Sequence, residues 1–164
     1  MLKIVKEQNL ELNRIWRMQD QLYQTYATHC HLSSVSFWIL YTLNEANEVY
    51  TQNILAEMWY FPRQTVNSAI MNLVKIGYIK LEQIQGAKNS KAVILTEQGL
   101  NICKNIVTPL VNAELRALLK MSEEERQMFL ELSNKQQRLL QAELNMIYQN
   151  EIINFDLINK EIQK

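Results

Sequence analysis

Apolar residues recur every three or four positions along most of this chain, and only two short stretches alternate instead. From Leu2 to about Tyr26, the residues Ile4, Val5, Leu10, Leu12, Ile15, Trp16, Met18, Leu22, Tyr23 and Tyr26 mark a long helix. They occupy more than one face, so this helix is expected to bury against two things, its own domain and a second subunit. The pattern breaks at Thr28-His29-Cys30-His31. Leu32-Ser33-Ser34 then offers a serine N-cap for a helix from Val35 to Asn44, which carries Phe37, Trp38, Leu40, Tyr41 and Leu43. Glu45-Ala46-Asn47-Glu48 is a polar connector.

Two short helices follow. Thr51 is placed to cap the first, and Ile54, Leu55 and Met58 give it a buried face. Phe61-Pro62 ends it, because proline drives its predecessor out of the α region and suits the first turn of a new helix. In the second, Val66, Ala69, Ile70, Leu73 and Ile76 form the apolar stripe, and Arg63, Gln64, Asn67, Ser68, Met71, Asn72 and Lys75 the opposite face. Gly77 stands where a helix-ending left-handed residue belongs. Two short helices joined tightly, the second with a hydrogen-bonding outer face, describe a helix-turn-helix. Alternation then predicts strands at Tyr78–Ile84 and Ala92–Leu95, linked by the polar, lysine-bearing loop 85–91. A hairpin directly after a recognition-type helix is a wing, and the whole stretch reads as a winged helix.

Beyond Thr96-Glu97-Gln98-Gly99 a helical pattern runs to about Leu119, with Pro109 inside it as an expected kink. Ser122 and Glu125 form a capping box that opens a last long helix through Met128, Phe129, Leu132, Leu139, Leu140, Leu144, Met146 and Ile147. The tail, Ile152-Ile153-Asn154-Phe155 to Lys164, either extends that helix or docks on a partner. The expected fold is mainly α with a small β-hairpin wing: one domain over 1–164, with a DNA-binding lobe at about 33–96 and helical dimerisation regions at about 1–28 and 97–164. Terminal helices with many apolar residues and no fold of their own to bury them imply a homodimer.

Composition narrows the picture. The length of 164 residues suits one domain, since domains run to about 100–200 residues. A hydrophobic content of 48% supports a core, and three glycines and two prolines favour long helices. No run approaches the roughly 18 apolar residues of a membrane span. The start, MLKIVKEQNLELNR, has no apolar leader segment, and Cys30 and Cys103 make no disulfide framework, so a cytoplasmic protein is expected. Formal net charge is zero, but it is unevenly spread. Residues 1–60 carry −2, residues 61–92 carry +4, and the remainder carries −2. Positive charge therefore gathers on the helix-plus-wing segment, as binding to a phosphate backbone requires.

The order of these elements resembles the MarR family of bacterial transcriptional regulators. The resemblance is carried by Ile54-Leu55-Ala56-Glu57, Gln64-Thr65-Val66-Asn67-Ser68, Leu73-Val74-Lys75-Ile76-Gly77-Tyr78-Ile79 and Leu95-Thr96-Glu97-Gln98-Gly99. It implies a homodimer on double-stranded DNA, usually repressing a pseudo-palindromic operator until a ligand or oxidant changes the spacing of the two lobes. Base-edge reading falls to Arg63, Gln64, Asn67 and Ser68, and phosphate contact mostly to Thr65, Asn72 and Lys75. The chain departs from the family at the wing. The common Asp-x-Arg pair falls on Ala87 and Asn89, so the minor-groove arginine is missing, and Lys88 and Lys91 offer a less shape-selective contact.

The signal is less legible. Trp16, Tyr23, Tyr26, Trp38 and Tyr41 are candidates to line a cleft for a small aromatic or lipophilic effector, or else simply core. Cys30, flanked by His29 and His31, is the candidate redox residue, while Cys103 lies on an apolar stripe. The His29-Cys30-His31 run has zinc-ligand chemistry, but three adjacent side chains do not converge easily. The later helix adds only Glu97, Cys103 and Glu114, so no metal and no other cofactor is expected. No phosphate loop, paired carboxylates or nucleophile with a base point to an enzyme. The alternative of a different class is a winged-helix module that binds protein rather than DNA.

Overall fold

The structure is a computed structural model that describes residues 1–45, 48–86 and 90–149. Lys88, Asn89, part of the polar connector and the tail from residue 150 therefore lie outside the described residues. The chain forms α1 (Leu2–His29), α2 (Ser34–Asn44), α3 (Gln52–Met58), α4 (Arg63–Lys75), β1 (Ile79–Gln83), β2 (Lys91–Leu95), α5 (Glu97–Leu118) and α6 (Glu123–Gln149). It divides into two compact units, Met1–Asn112 and Ala113–Lys164. Among the described residues no helix is long and apolar enough to cross a membrane.

In the first unit, α2 is the central element. Ser33 caps it by accepting the Ser36 N–H at 3.1 Å, and its Oγ donates to Ser36 Oγ at 2.8 Å. Phe37, Ile39 and Leu40 of α2 are fully enclosed. Around them lie Leu55 of α3, Val66, Ile70 and Leu73 of α4, Ile79 and Val93 of the hairpin, and Cys103 and Val107 of α5. The stripe on α4 is as its spacing predicts, except that Ile76 is the C-cap residue and 38% exposed. The face of α3 differs. Ile54 and Met58 are 42% and 43% exposed, whereas Leu55 and Ala56 are buried and Trp59 half-buried. The true stripe is Leu55, Ala56 and Trp59, one residue further on and so rotated by about 100°.

The hairpin is antiparallel, with Ile79 opposite Leu95 and Gln83 opposite Lys91. A nonlocal contact fastens it to the lobe: Thr51 bridges Ala92, and the Val93 N–H donates to Tyr50 O at 2.8 Å. The hairpin also closes onto the start of α5. Thr96 Oγ1 donates to Gly77 O at 2.6 Å and accepts the Gly99 N–H at 3.0 Å. In the second unit, the Ser122 N–H donates to Glu125 Oε2 at 2.8 Å and the Glu125 N–H to Ser122 Oγ at 3.2 Å. This reciprocal pair is the expected capping box. The helix it opens, α6, has no buried residue.

Candidate nucleic-acid interface

The exposed side of α4 is set by what the other side buries. With Val66, Ala69, Ile70 and Leu73 turned into the core, the positions between them face outward. Arg63, Gln64, Thr65, Asn67, Ser68, Asn72 and Lys75 are all exposed, and Met71 lies among them at 53%. Gln64, Asn67 and Asn72 make no side-chain hydrogen bond among the described residues, so their amides are open to a ligand. Ser68 is partly committed, its hydroxyl donating to Gln64 O at 3.0 Å. Arg63 is also engaged: Nη2 donates to Glu57 Oε1 at 3.3 Å across the turn between α3 and α4. Lys75 occupies the last turn of α4, where a cation suits the helix dipole.

A groove of about 320 Å³ runs between this face and the first turn of α2, lined by Ser33, Ser34, Thr65, Ser68 and Asn72 among others. The hydroxyls of α2 thus join a surface that spacing had assigned to α4 alone. The signal available for them was the serine pair at a helix start. On the hairpin, Lys91 is exposed at the first position of β2, and Lys80 pairs with Glu82 at 2.6 Å. Lys80 is therefore partly neutralised, while Lys91 makes no ion pair among the described residues.

Four of the five aromatic candidates come together. Trp38 lies 5.0 Å from Tyr23 and 5.1 Å from Tyr41 between ring centroids, and Tyr26 meets Phe37 edge-on at 5.6 Å. Trp16 is not in the group: it is 47% exposed and joins no ring pair among the described residues. It precedes Tyr23 by seven residues, about 10 Å along the helix axis, which puts it beyond the lobe's aromatic cluster. Trp59 takes the vacant role, stacking on Trp38 at 4.3 Å and donating its indole N–H to Thr42 Oγ1 at 2.7 Å. Its place four residues after Leu55 was the signal for it. The rings contact one another, so the cluster is packed, with half-exposed edges at Tyr23, Trp38, Tyr41 and Trp59.

The cysteines are quiet. Burial pushes the Cys103 thiol up to about 11, and its Sγ lies 3.8 Å from Leu40 O. Burial also raises Cys30, which disfavours a thiolate there. His29 Nδ1 is taken up with Thr25 O at 2.7 Å. Among the described residues no three His, Cys, Asp or Glu side chains are grouped to hold a metal ion.

No family model matches the sequence, and no curated protein matches it. Solved structures do share its fold. A MarR family regulator from Neisseria meningitidis matches with a TM-score of 0.70 at 19% identity, over 87% of this chain and 98% of its own. A putative MarR family transcriptional regulator from Listeria monocytogenes, complexed with 26mer DNA, matches at 0.66 and 23% identity, over 85% and 92%. Overoxidized AbfR bound to DNA matches at 0.62 and 18% identity, over 85% and 96%. The chain has the winged-helix fold of MarR family regulators, mainly helical with a two-stranded antiparallel wing, as its sequence led us to expect.

Proposed function

We propose that this chain is a homodimeric transcriptional regulator that reads double-stranded DNA with α4, most simply as a repressor of a pseudo-palindromic operator. The observation that carries the reading is the outer face of α4, where unpaired amides and a guanidinium are exposed on a helix whose inner face is packed into the core. Arg63 pairs with a guanine edge, and Gln64 and Asn67 with adenine, each good bidentate pair contributing about 1–3 kcal/mol of discrimination. Ser68 reads either base edge, while Thr65, Asn72 and Lys75 hold phosphates beside the groove at the start of α2. Lys91 does the same from the wing, and in the sequence the loop before it adds a second cation, Lys88, and an amide, Asn89, for the same duplex. The same fold in the two DNA complexes described above supports this assignment.

Two chains place two such helices in successive major grooves, about 34–36 Å apart. The apolar residues left exposed on α1 and on α6 support pairing with a second copy. As the signal, a small planar aromatic or lipophilic molecule fits better than an oxidant, because Tyr23, Trp38, Tyr41 and Trp59 are half-exposed while burial disfavours the Cys30 thiolate.

The deciding experiment is equilibrium binding of the purified protein to the DNA upstream of its own gene across a salt series, with Arg63→Ala alongside. The expected result is tight binding that weakens steeply with salt, as counterion release dictates, and a large loss in the variant. Weak, salt-insensitive binding unchanged by Arg63→Ala would overturn the reading in favour of a protein-binding winged helix.

A further inference from the structure

The recognition helix starts with a cation at the end of the helix dipole that favours anions. Arg63 is its first residue, Pro62 supplies no side-chain cap, and the first turn holds no acidic residue. The compensating negative charge comes from across the turn. Glu57, in the last turn of α3, receives Arg63 Nη2 on its Oε1 at 3.3 Å, with the two side chains 69% and 68% exposed. The backbone between them is held firmly. Tyr60 sits at a φ of 53° and Pro62 at −57°, the Phe61 N–H donates to Ala56 O at 3.0 Å, and Gln52 Nε2 reaches Arg63 O at 3.4 Å. The two anchor points of the ion pair therefore keep a fixed separation, and only the side chains need ordering.

We propose that Glu57 is a positioning and specificity-determining residue for DNA reading: it holds the Arg63 guanidinium by one nitrogen, so that the rest of the fork is offered to a base edge and withheld from phosphates. This inference rests on the assignment of α4 as the reading helix. Glu57 engages Nη2 alone, and among the described residues Nε and Nη1 have no partner. Nη2 carries two hydrogens, so the one that Glu57 leaves free stands parallel to an N–H of the neighbouring nitrogen, and that pair matches the two fixed acceptors of a guanine edge. A phosphate can be met from many directions, but the arginine must swing away from the carboxylate to reach it. An arginine free to swing strengthens binding to every duplex. A tethered one strengthens binding only where the base matches, and specificity is that difference of affinities.

The test compares the natural chain, Glu57→Gln, Arg63→Ala and the double variant on the DNA upstream of the gene and on an unrelated duplex, across a salt series. Glu57→Gln is expected to bind the unrelated duplex up to about five-fold tighter, the most that an exposed pair is worth. Its salt dependence should steepen by about one phosphate contact, and its discrimination between the duplexes should fall. In the Arg63→Ala background the same change should alter none of the three. If Glu57→Gln leaves ratio and slope unchanged while the natural chain still binds and depends on Arg63, the role of Glu57 is overturned and DNA reading stands. An effect that persists without Arg63 also overturns it, because the carboxylate then acts by general repulsion. A natural chain that binds neither duplex overturns both assignments.

Discussion

Three helices of the first unit end in the same pair of backbone hydrogen bonds, yet glycine occupies the left-handed position in only one. At the end of α4, the Tyr78 N–H donates to Leu73 O and the Gly77 N–H to Val74 O, with Gly77 at a φ of 83°. The ends of α1 and α3 repeat the pattern around His31 at 57° and Tyr60 at 53°. A side chain in that region is strained, whereas glycine is not. Tyr60 is also 93% exposed, so its side chain recovers little by packing. Tyr60→Gly is therefore expected to stabilise the fold by about 1 kcal/mol, read as a higher urea midpoint at unchanged slope. Gly99 behaves oppositely: a Cβ there would lie 1.9 Å from the Tyr78 carbonyl oxygen, where backbone meets backbone. Gly99→Ala should cost about 3 kcal/mol or more in the same assay. The thiols give a third check at this scale. With Cys103 near 11 and Cys30 raised by burial, labelling at neutral pH should miss Cys103 until the protein unfolds. It should also modify Cys30 more slowly than free cysteine; a fast-reacting Cys30 would bring the oxidant signal back. Gly99 stood in the motif read from the sequence, but its reason, the Tyr78 carbonyl packed beneath it, is a contact across 21 residues that no spacing reveals.

At the scale of elements, what was local was legible. The buried stripe of α4, the caps at Ser33 and Thr51, the capping box at Ser122 and the hairpin all follow from residues within one or two turns of each other. The nonlocal features were not. The bridge from Thr51 to Ala92 involves one residue on each side, too short to leave an alternating pattern. The rotation of α3 was missed because its seven residues cover barely two turns, and Ile54 and Met58 compete with Leu55 and Trp59 for the stripe. Only the partner surfaces of α2 and α4 decide between them. The candidate site inherits this division: the exposed polar face of α4 is visible in the sequence, whereas the groove that brings Ser33 and Ser34 beside it and the Glu57–Arg63 ion pair appear only in three dimensions. The division of labour within the site can be measured. Asn67→Ala should relax preference at one base pair and cost about 1–3 kcal/mol on the cognate duplex. Lys91→Ala should weaken binding evenly across sequences and lower the salt slope by about one. Equal behaviour of the two variants would mean that α4 contacts phosphates rather than base edges.

For the molecule as a whole, the unresolved account is one of apolar surface. Along α1, Ile4, Val5, Leu10, Ile15, Trp16, Met18 and Leu22 are between 47% and 72% exposed. On α6, Met128, Phe129, Leu130, Leu132 and Leu139 are each 57–60% exposed, and nothing on that helix is buried. Monomeric proteins seldom leave contiguous apolar patches larger than a few hundred Å² facing water. The two helices are also amphipathic, with Lys3, Lys6, Glu7 and Arg14 on the first and a run of acidic and amide residues on the second, as an interface helix requires. In the dimer proposed above, a second copy would cover such a surface without any further partner, and a two-fold pair would repeat α4 at the spacing of one DNA turn. Sedimentation is therefore expected to give twice the 19.4 kDa chain mass. Placing charges in the apolar face, Phe129→Glu with Leu132→Glu, should yield monomers that keep the Trp38–Trp59 stack and its fluorescence but lose tight operator binding. A single lobe then retains only its own contacts, and the loss should reach several hundred-fold, since linked sites gain about 10²–10⁴ over either alone. A natural chain that sediments as a monomer and still binds its operator tightly would remove the dimer from the mechanism, and α1 and α6 would need a different partner.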